Sequence, residues 1–237
     1  MNNIFYPSKN DNKKIYIAIL SKGNINAKDI TLDYRQNTEK DFFKYINFDI
    51  TKAIFMHQVH KDNIVKIDES NINLFGSRDK LVEDTDALIT NLKNIPLIVQ
   101  TADCAPIILY CDESKSMAAI HSGWRGTFQN ITAKTIDLMK KEYNANPSKM
   151  YAYIGPYIAQ KDYEVGDEVA EHFKNKGMIN DKWHIDNGLE IKDQMIECGI
   201  LENNIEISKI NTYDDICYSY RRDGVQVGRM LTLGVIL

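Results

Sequence analysis

Two imidazoles and one thiol stand in this 237-residue chain where a metal ion could be held. His60 closes Met56-His57-Gln58-Val59-His60. Cys104 lies in Thr101-Ala102-Asp103-Cys104-Ala105-Pro106, directly after an apolar run. His121 opens His121-Ser122-Gly123-Trp124-Arg125-Gly126. One thiolate with two neutral imidazoles is a donor set suited to Zn2+. Three protein ligands would leave a fourth position for water, whose pKa the metal lowers to about 7, making it a nucleophile at neutral pH. The local zinc signatures CxxC, HExxH and Hx3–5H are absent, so spacing alone speaks weakly. Each residue also has a plainer reading. A cysteine after an apolar strand is ordinarily a small buried hydrophobe, and His57 and His60 would ordinarily be surface or core side chains.

A structural zinc would need a fourth ligand. Cys111 is seven residues beyond Cys104, about 23 Å along a continuous strand and on its opposite face. His57, three before His60, also faces the other way if that segment is extended. Neither completes a closed set, so the pattern favours an open, catalytic site.

The segment Ser122–Gly126 lies between a strand pattern and a helix pattern. A glycine loop entering a helix presents free backbone N–H groups and a positive dipole end, which suits an anion. Arg125 stands there and could grip phosphate bidentately. The alternative is a tight turn with Trp124 in the core and Arg125 solvated. A second basic cluster, Tyr220-Arg221-Arg222-Asp223-Gly224 with Arg229, reads as a surface turn whose ion pair contributes little.

The elements that must position these residues follow from the apolar pattern. Strands are predicted at Ile15–Leu20, Ala53–Val59, Asn63–Ile67, Ala87–Thr90, Pro96–Gln100, Ile107–Cys111, Met117–Ile120, Met150–Ile154, Ile205–Ile210 and Met230–Leu237. His60 falls at the turn between the second and third. Helices are predicted at Thr38–Ile46, at Asp167–Lys174, at Leu189–Cys198, and from an N-cap at Thr127 to about Tyr143. Ser70–Asp84, with Gly76, reads as a loop. Strands and helices interleave without strict βαβ alternation, which predicts mixed sheets.

The length suits one domain, 1–237, with a sizeable core. The chain is 43% hydrophobic and 26% charged, with a net charge of −4. That balance gives no reason to expect nucleic acid or an anionic membrane as partner. No apolar run reaches signal-peptide or membrane-spanning length. The four cysteines are too few and scattered for a disulfide framework, so reduced thiols in the cytoplasm are expected. Oligomeric state is not legible.

Several segments, in order, resemble the YfiH/YlmD family, also called the laccase-domain or polyphenol-oxidase family, and more recently purine nucleoside phosphorylase or peptidoglycan editing factor. They are Gln58-Val59-His60, Thr85-Asp86-Ala87, Thr101–Pro106, His121–Gly126, Ile154-Gly155-Pro156, Tyr163-Glu164-Val165-Gly166, and Ser219–Gly224 with Gly228-Arg229. The resemblance implies an α+β fold, with mixed β-sheets packed face to face and flanking helices. It implies that His60, Cys104 and His121 are zinc ligands, and that a loosely matching Asn-Arg element falls on Arg35. It implies phosphorolysis of adenosine, inosine, guanosine and methylthioadenosine, and deamination of adenosine, with small-molecule substrates. Ser122 and Lys61 depart from the family's usual Ala and Gly. Asn211-Thr212 and a short Tyr213–Cys217 segment replace its Cys-Thr pair and longer loop.

On this reading Arg35, Gln58 and Arg125 contact substrate or phosphate. The His-x-Glu motif of other zinc deaminases is missing, so Asp103 or Glu164 would have to move the proton. Three rivals remain. A copper polyphenol oxidase would demand many imidazoles, and the chain has five histidines. A metal-free cysteine hydrolase would use a Cys104–His121 pair. A peptidoglycan-precursor editing factor could be enzymatic or a partner protein.

Overall fold

The structure is a computed structural model, and it describes residues 4–7, 14–22, 52–75 and 81–237. The helix expected at Thr38–Ile46, together with Arg35 and Gly76, lies outside the described residues.

Short apolar strands alternate their side chains between two faces, so a sheet covered on both faces reads as continuous apolar runs. The central strands of two sheets obey this rule. One has the order β1 (Ile4–Phe5), β2 (Ile15–Leu20), β14 (Met230–Ile236), β6 (Leu97–Thr101) and β3 (Ile54–Phe55). The other has the order β13 (Ile205–Ile207), β9 (Met150–Ile154), β7 (Ala105–Cys111), β8 (Ser116–Ser122), β5 (Ala87–Thr90) and β4 (Ile64–Ile67). Both are mixed: β3 runs parallel to β6, β4 to β5 and β13 to β9, while the remaining pairs are antiparallel.

The sheets pack face to face. Ile17, Ile19, Leu97 and Val99 of the first meet Leu88, Ile108, Tyr110 and Ala119 of the second in one buried cluster. The neighbouring residues Ile89, Ile107, Leu109 and Ala118 point the other way. They pack against the helices Ile131–Tyr143 and Asn187–Glu197 through Ile136, Met139, Ile191 and Met195. A small third sheet joins β10 (Glu164–Val165), β12 (Lys182–Ile185) and β11 (Lys176–Ile179). The fold is therefore α+β, as expected. Among the described residues no helix is long and apolar enough to cross a membrane.

Four expectations need correction. The strand expected at Ala53–Val59 ends after Phe55 and a bridge at Met56. Beyond it, the Gln58 side chain rather than its backbone pairs with β6. The single helix expected from Thr127 is two. Trp124–Phe128 comes first, and Asn130, in the left-handed conformation with φ 60°, separates it from Ile131–Tyr143. Thr127 is not an N-cap; its buried hydroxyl bonds that of Ser122 at 2.8 Å. The helix expected to reach Lys174 stops at Ala170, because the buried Glu190 carboxylate draws the N–H groups of Lys174 and Asn175 away from helical partners. The loop at Ser70–Asp84 contains a helical turn, Ile72–Phe75.

Candidate active site

The chain passes between the two large sheets twice at one end of the sandwich. The link from β3 to β4 carries His60, and the link from β6 to β7 carries Cys104. β8 ends at the same place, where His121 pairs with Pro106 and Ala105 with Ser122. Three side chains distant in sequence are thus delivered to one spot by strand order alone. One ligand atom from each of His60, Cys104 and His121 lies within 4.8 Å of the others. The two imidazoles meet edge to face, with centroids 4.7 Å apart. His121 is buried, Cys104 half-buried and His60 exposed, so the set descends from mouth to floor. A metal ion fits this donor set: it is compact, holds the soft and borderline ligands that zinc accepts, and includes one group open to solvent.

Electrostatics suit the same purpose. Burial works against a thiolate at Cys104, but the positive charge and hydrogen bond of His121, with help from His60, bring its pKa below the ordinary thiol range. Burial likewise works against a charged His121, but the Cys104 thiolate and the Asp86 carboxylate hold its pKa above the ordinary imidazole range.

Asp86 is the residue that sequence reasoning passed over. Thr85-Asp86-Ala87 carried part of the family resemblance but no task. Its signal was an acid directly ahead of an apolar strand, a position that ordinarily holds a solvated turn residue. Here Asp86 is fully buried. Its Oδ1 accepts from His121 Nδ1 at 2.8 Å and from the His60 N–H at 3.0 Å. Its Oδ2 accepts from the Lys61 N–H at 2.9 Å and the Val59 N–H at 3.2 Å. Burial pushes its pKa up, but these hydrogen bonds, that of His121 foremost, bring it below the usual carboxylate range.

Gln58 faces β6. Its Nε2 donates to the Gln100 carbonyl and its Oε1 accepts from the Gln100 N–H, both at 2.8 Å. One side chain thereby imitates the backbone of a strand neighbour. Asp103 is left-handed, with φ 88°. Its Oδ1 accepts from Thr212 Oγ1 at 2.6 Å and its Oδ2 from the Arg221 N–H at 2.7 Å. Thr212, in the segment that departs from the family pattern, therefore braces the cysteine turn. Glu164 is held by Lys182, with Nζ 2.9 Å from Oε1.

A cavity of about 830 Å³ opens over His60, Cys104 and His121. Trp124, Tyr163 and Tyr220 form part of its wall, and Arg125, Arg221 and Arg229 add positive charge; Gln58, Asp103 and Glu164 also line it. The Arg125 guanidinium lies 4.1 Å from the Trp124 ring centroid, and Arg221 lies 5.5 Å from that of Tyr163 while donating to the Glu164 carbonyl. Arg222 instead ties down the 213–217 segment through the Tyr213, Asp214 and Cys217 carbonyls. Two of the remaining histidines are engaged elsewhere, His172 against Phe128 and His184 on the Gln160 carbonyl. His57 lines the cavity and faces Glu83.

Comparison with known proteins agrees with this architecture. The model of the family described as multi-copper polyphenol oxidoreductase laccase matches residues 22–236. A Clostridium acetobutylicum protein named purine nucleoside phosphorylase is 31% identical over 238 residues, covering 96% of this chain and 94% of its own length. A protein from an unknown prokaryotic organism, named adenosine deaminase, is 32% identical over 200 residues, covering 79% of this chain and 76% of its own. The crystal structure of YfiH from Bacillus licheniformis shares the fold, with a TM-score of 0.86 at 22% identity over 94% of this chain and 93% of that one. The family model runs through both sheets and all three metal-ligand candidates, and the chain belongs to the laccase-domain family of YfiH and YlmD.

Proposed function

We propose that this chain is a zinc-dependent purine nucleoside enzyme. It cleaves adenosine, inosine, guanosine or methylthioadenosine with phosphate, and it deaminates adenosine. The observation that carries the reading is the convergence of His60, Cys104 and His121 beneath a cavity with aromatic and cationic walls. Relatives named phosphorylase and deaminase point the same way. When bound, zinc supplies Lewis acidity and a means of activating water near neutral pH.

The chain's own residues do the rest. His60, Cys104 and His121 hold the ion. Trp124 and Tyr220 offer ring faces for a purine. Arg125 and Arg35 grip phosphate and stabilise charge that develops during transfer. Gln58 lines the cavity and contacts substrate or phosphate from its wall. Of the two carboxylates assigned to proton movement, Glu164 is held by Lys182 at the cavity edge. Asp103 also braces the Arg221 turn, so its role includes positioning. The enzyme works as a single domain in the cytoplasm, on small molecules, with its thiols reduced.

Product analysis on adenosine tests this. Free adenine and ribose phosphate that appear only with phosphate present mark phosphorolysis, and inosine marks deamination. Neither product from zinc-loaded protein overturns the proposal.

A second reading draws on one observation: the depressed thiol of Cys104 beside the raised imidazole of His121 is also the pair a cysteine hydrolase needs. Chelation separates the two. Activity lost to chelator and restored by zinc belongs to the metal enzyme. Activity that survives metal removal belongs to the thiol.

A further inference from the structure

We infer that Asp86 is the positioning residue of the metal centre, one carboxylate that orients both histidines at once. The inference rests on the metal reading above. A carboxylate taken fully out of water is strongly destabilising unless it is well partnered. Asp86 meets that cost with four hydrogen bonds, and every one serves a metal-ligand candidate or its turn.

The two histidines are served differently. At His121 the contact is with the ring. Nδ1 is 2.8 Å from Asp86 Oδ1, so an acceptor-only carboxylate keeps the proton on Nδ1 and leaves the Nε2 lone pair for the ion. At His60 the contact is with the backbone. His60 is left-handed, with φ 58°, a conformation unfavourable for a residue with a Cβ. Three successive N–H groups, those of Val59, His60 and Lys61, turn inward onto the two oxygens of Asp86 and hold that turn. The Asp86 main chain adds to the joint, since its carbonyl accepts from the His121 N–H at 2.7 Å. Three strands' worth of structure therefore meets at one side chain.

The conservative variant Asp86→Asn keeps the volume and breaks the logic. An amide has an oxygen for one side and an NH2 for the other. With its NH2 toward Val59 and Lys61 it faces donors with donors. Flipped, it donates to His121 Nδ1 and moves the ring proton to the nitrogen that should bind metal.

Zinc affinity of the purified full chain, measured by competition with a chromophoric chelator, tests this directly. Asp86→Asn should bind zinc about 10–100-fold more weakly than wild type. Equal affinity in a folded Asp86→Asn protein overturns the assignment. A wild type that takes up no zinc overturns the metal reading itself, and the assignment with it, so the two failures are told apart by wild type alone. If the variant does not fold, histidine 15N NMR of wild-type protein carries the test. Zinc-loaded protein should show His121 with its proton on Nδ1, in slow exchange with solvent. A proton on Nε2 overturns the assignment.

Discussion

Gly123 and Cys104 are in contact: a Cβ built on Gly123 would lie 2.8 Å from Cys104 Sγ and 3.4 Å from His60 Cδ2. The backbone at Gly123 has φ −77° and ψ 177°, open to any residue. The demand for glycine is therefore one of space, made by the Cys104 and His60 side chains. Gly123→Ala should push Sγ aside and weaken zinc binding by about 10–100-fold, an effect of the size seen when supporting groups are disturbed. Chelator competition measures it, and an unchanged affinity would show that the thiolate can retreat without cost.

Gln58 imitates a strand neighbour for Gln100, and its removal should be read in stability. Gln58→Ala leaves a half-buried N–H and C=O of β6 without their partner, which costs about 1–3 kcal/mol. Denaturant unfolding should report that loss. A rise in KM for nucleoside with stability untouched would instead make Gln58 a substrate contact.

In the metal-free protein the shifts of Cys104 and His121 should oppose each other in the pH dependence of stability. The Cys104 thiol, pushed up by burial but drawn down by His121, falls from 9.0 to about 6. Its contribution is fully present above the unfolded value and is lost as pH falls through about 6. His121, pushed down by burial but raised by Cys104 and Asp86, rises from 6.5 to about 9. Its contribution is fully present below the unfolded value and is lost as pH rises through about 9. Between about 6.5 and 9 the gain from Cys104 as pH rises offsets the loss from His121, because the proton that the thiol gives up is the one the imidazole keeps. Melting temperature against pH, in chelator, should therefore be nearly flat across that window. A steep slope there would show that only one of the two groups is charged.

Arg125 stands exposed at the cavity mouth on the Trp124 ring. If it grips phosphate, Arg125→Ala should raise the KM for phosphate about 10–100-fold, the worth of charge-assisted hydrogen bonds. The KM for adenosine in deamination, which uses no phosphate, should change much less. Equal effects on both would move Arg125 from the phosphate to the nucleoside.

Asp103 holds Thr212 and the Arg221 N–H with separate oxygens. Asp103→Asn can keep one of these acceptors and not both. The expected result is a higher KM, as the turn bearing Tyr220 and Arg221 loosens, with the shape of the pH–rate profile kept. Loss of one limb of that profile would identify Asp103 as the proton carrier.

The local pattern determined which residues could do chemistry and most strands of the sandwich. Apolar runs such as Ile107–Cys111 and Met117–Ile120 are legible because a buried strand needs every side chain apolar. His60, Cys104 and His121 stood out because their neighbours marked strand ends, and the family resemblance joined them into one set. Strand order was not legible. Whether β3 pairs with β6 and β4 with β5 depends on contacts across long loops, and only that pairing brings the two crossing links and the end of β8 to one point. The burial of Asp86 and the pairing of the Gln58 side chain with β6 were not legible for the same reason. A carboxylate before a strand looks solvated until the tertiary structure removes the water and supplies the N–H groups that satisfy it. The break at Asn130 likewise cannot be seen in a helical period that continues across it. Residue chemistry is a local property and could be read directly; partnership among buried polar groups exists only once the chain has closed around them.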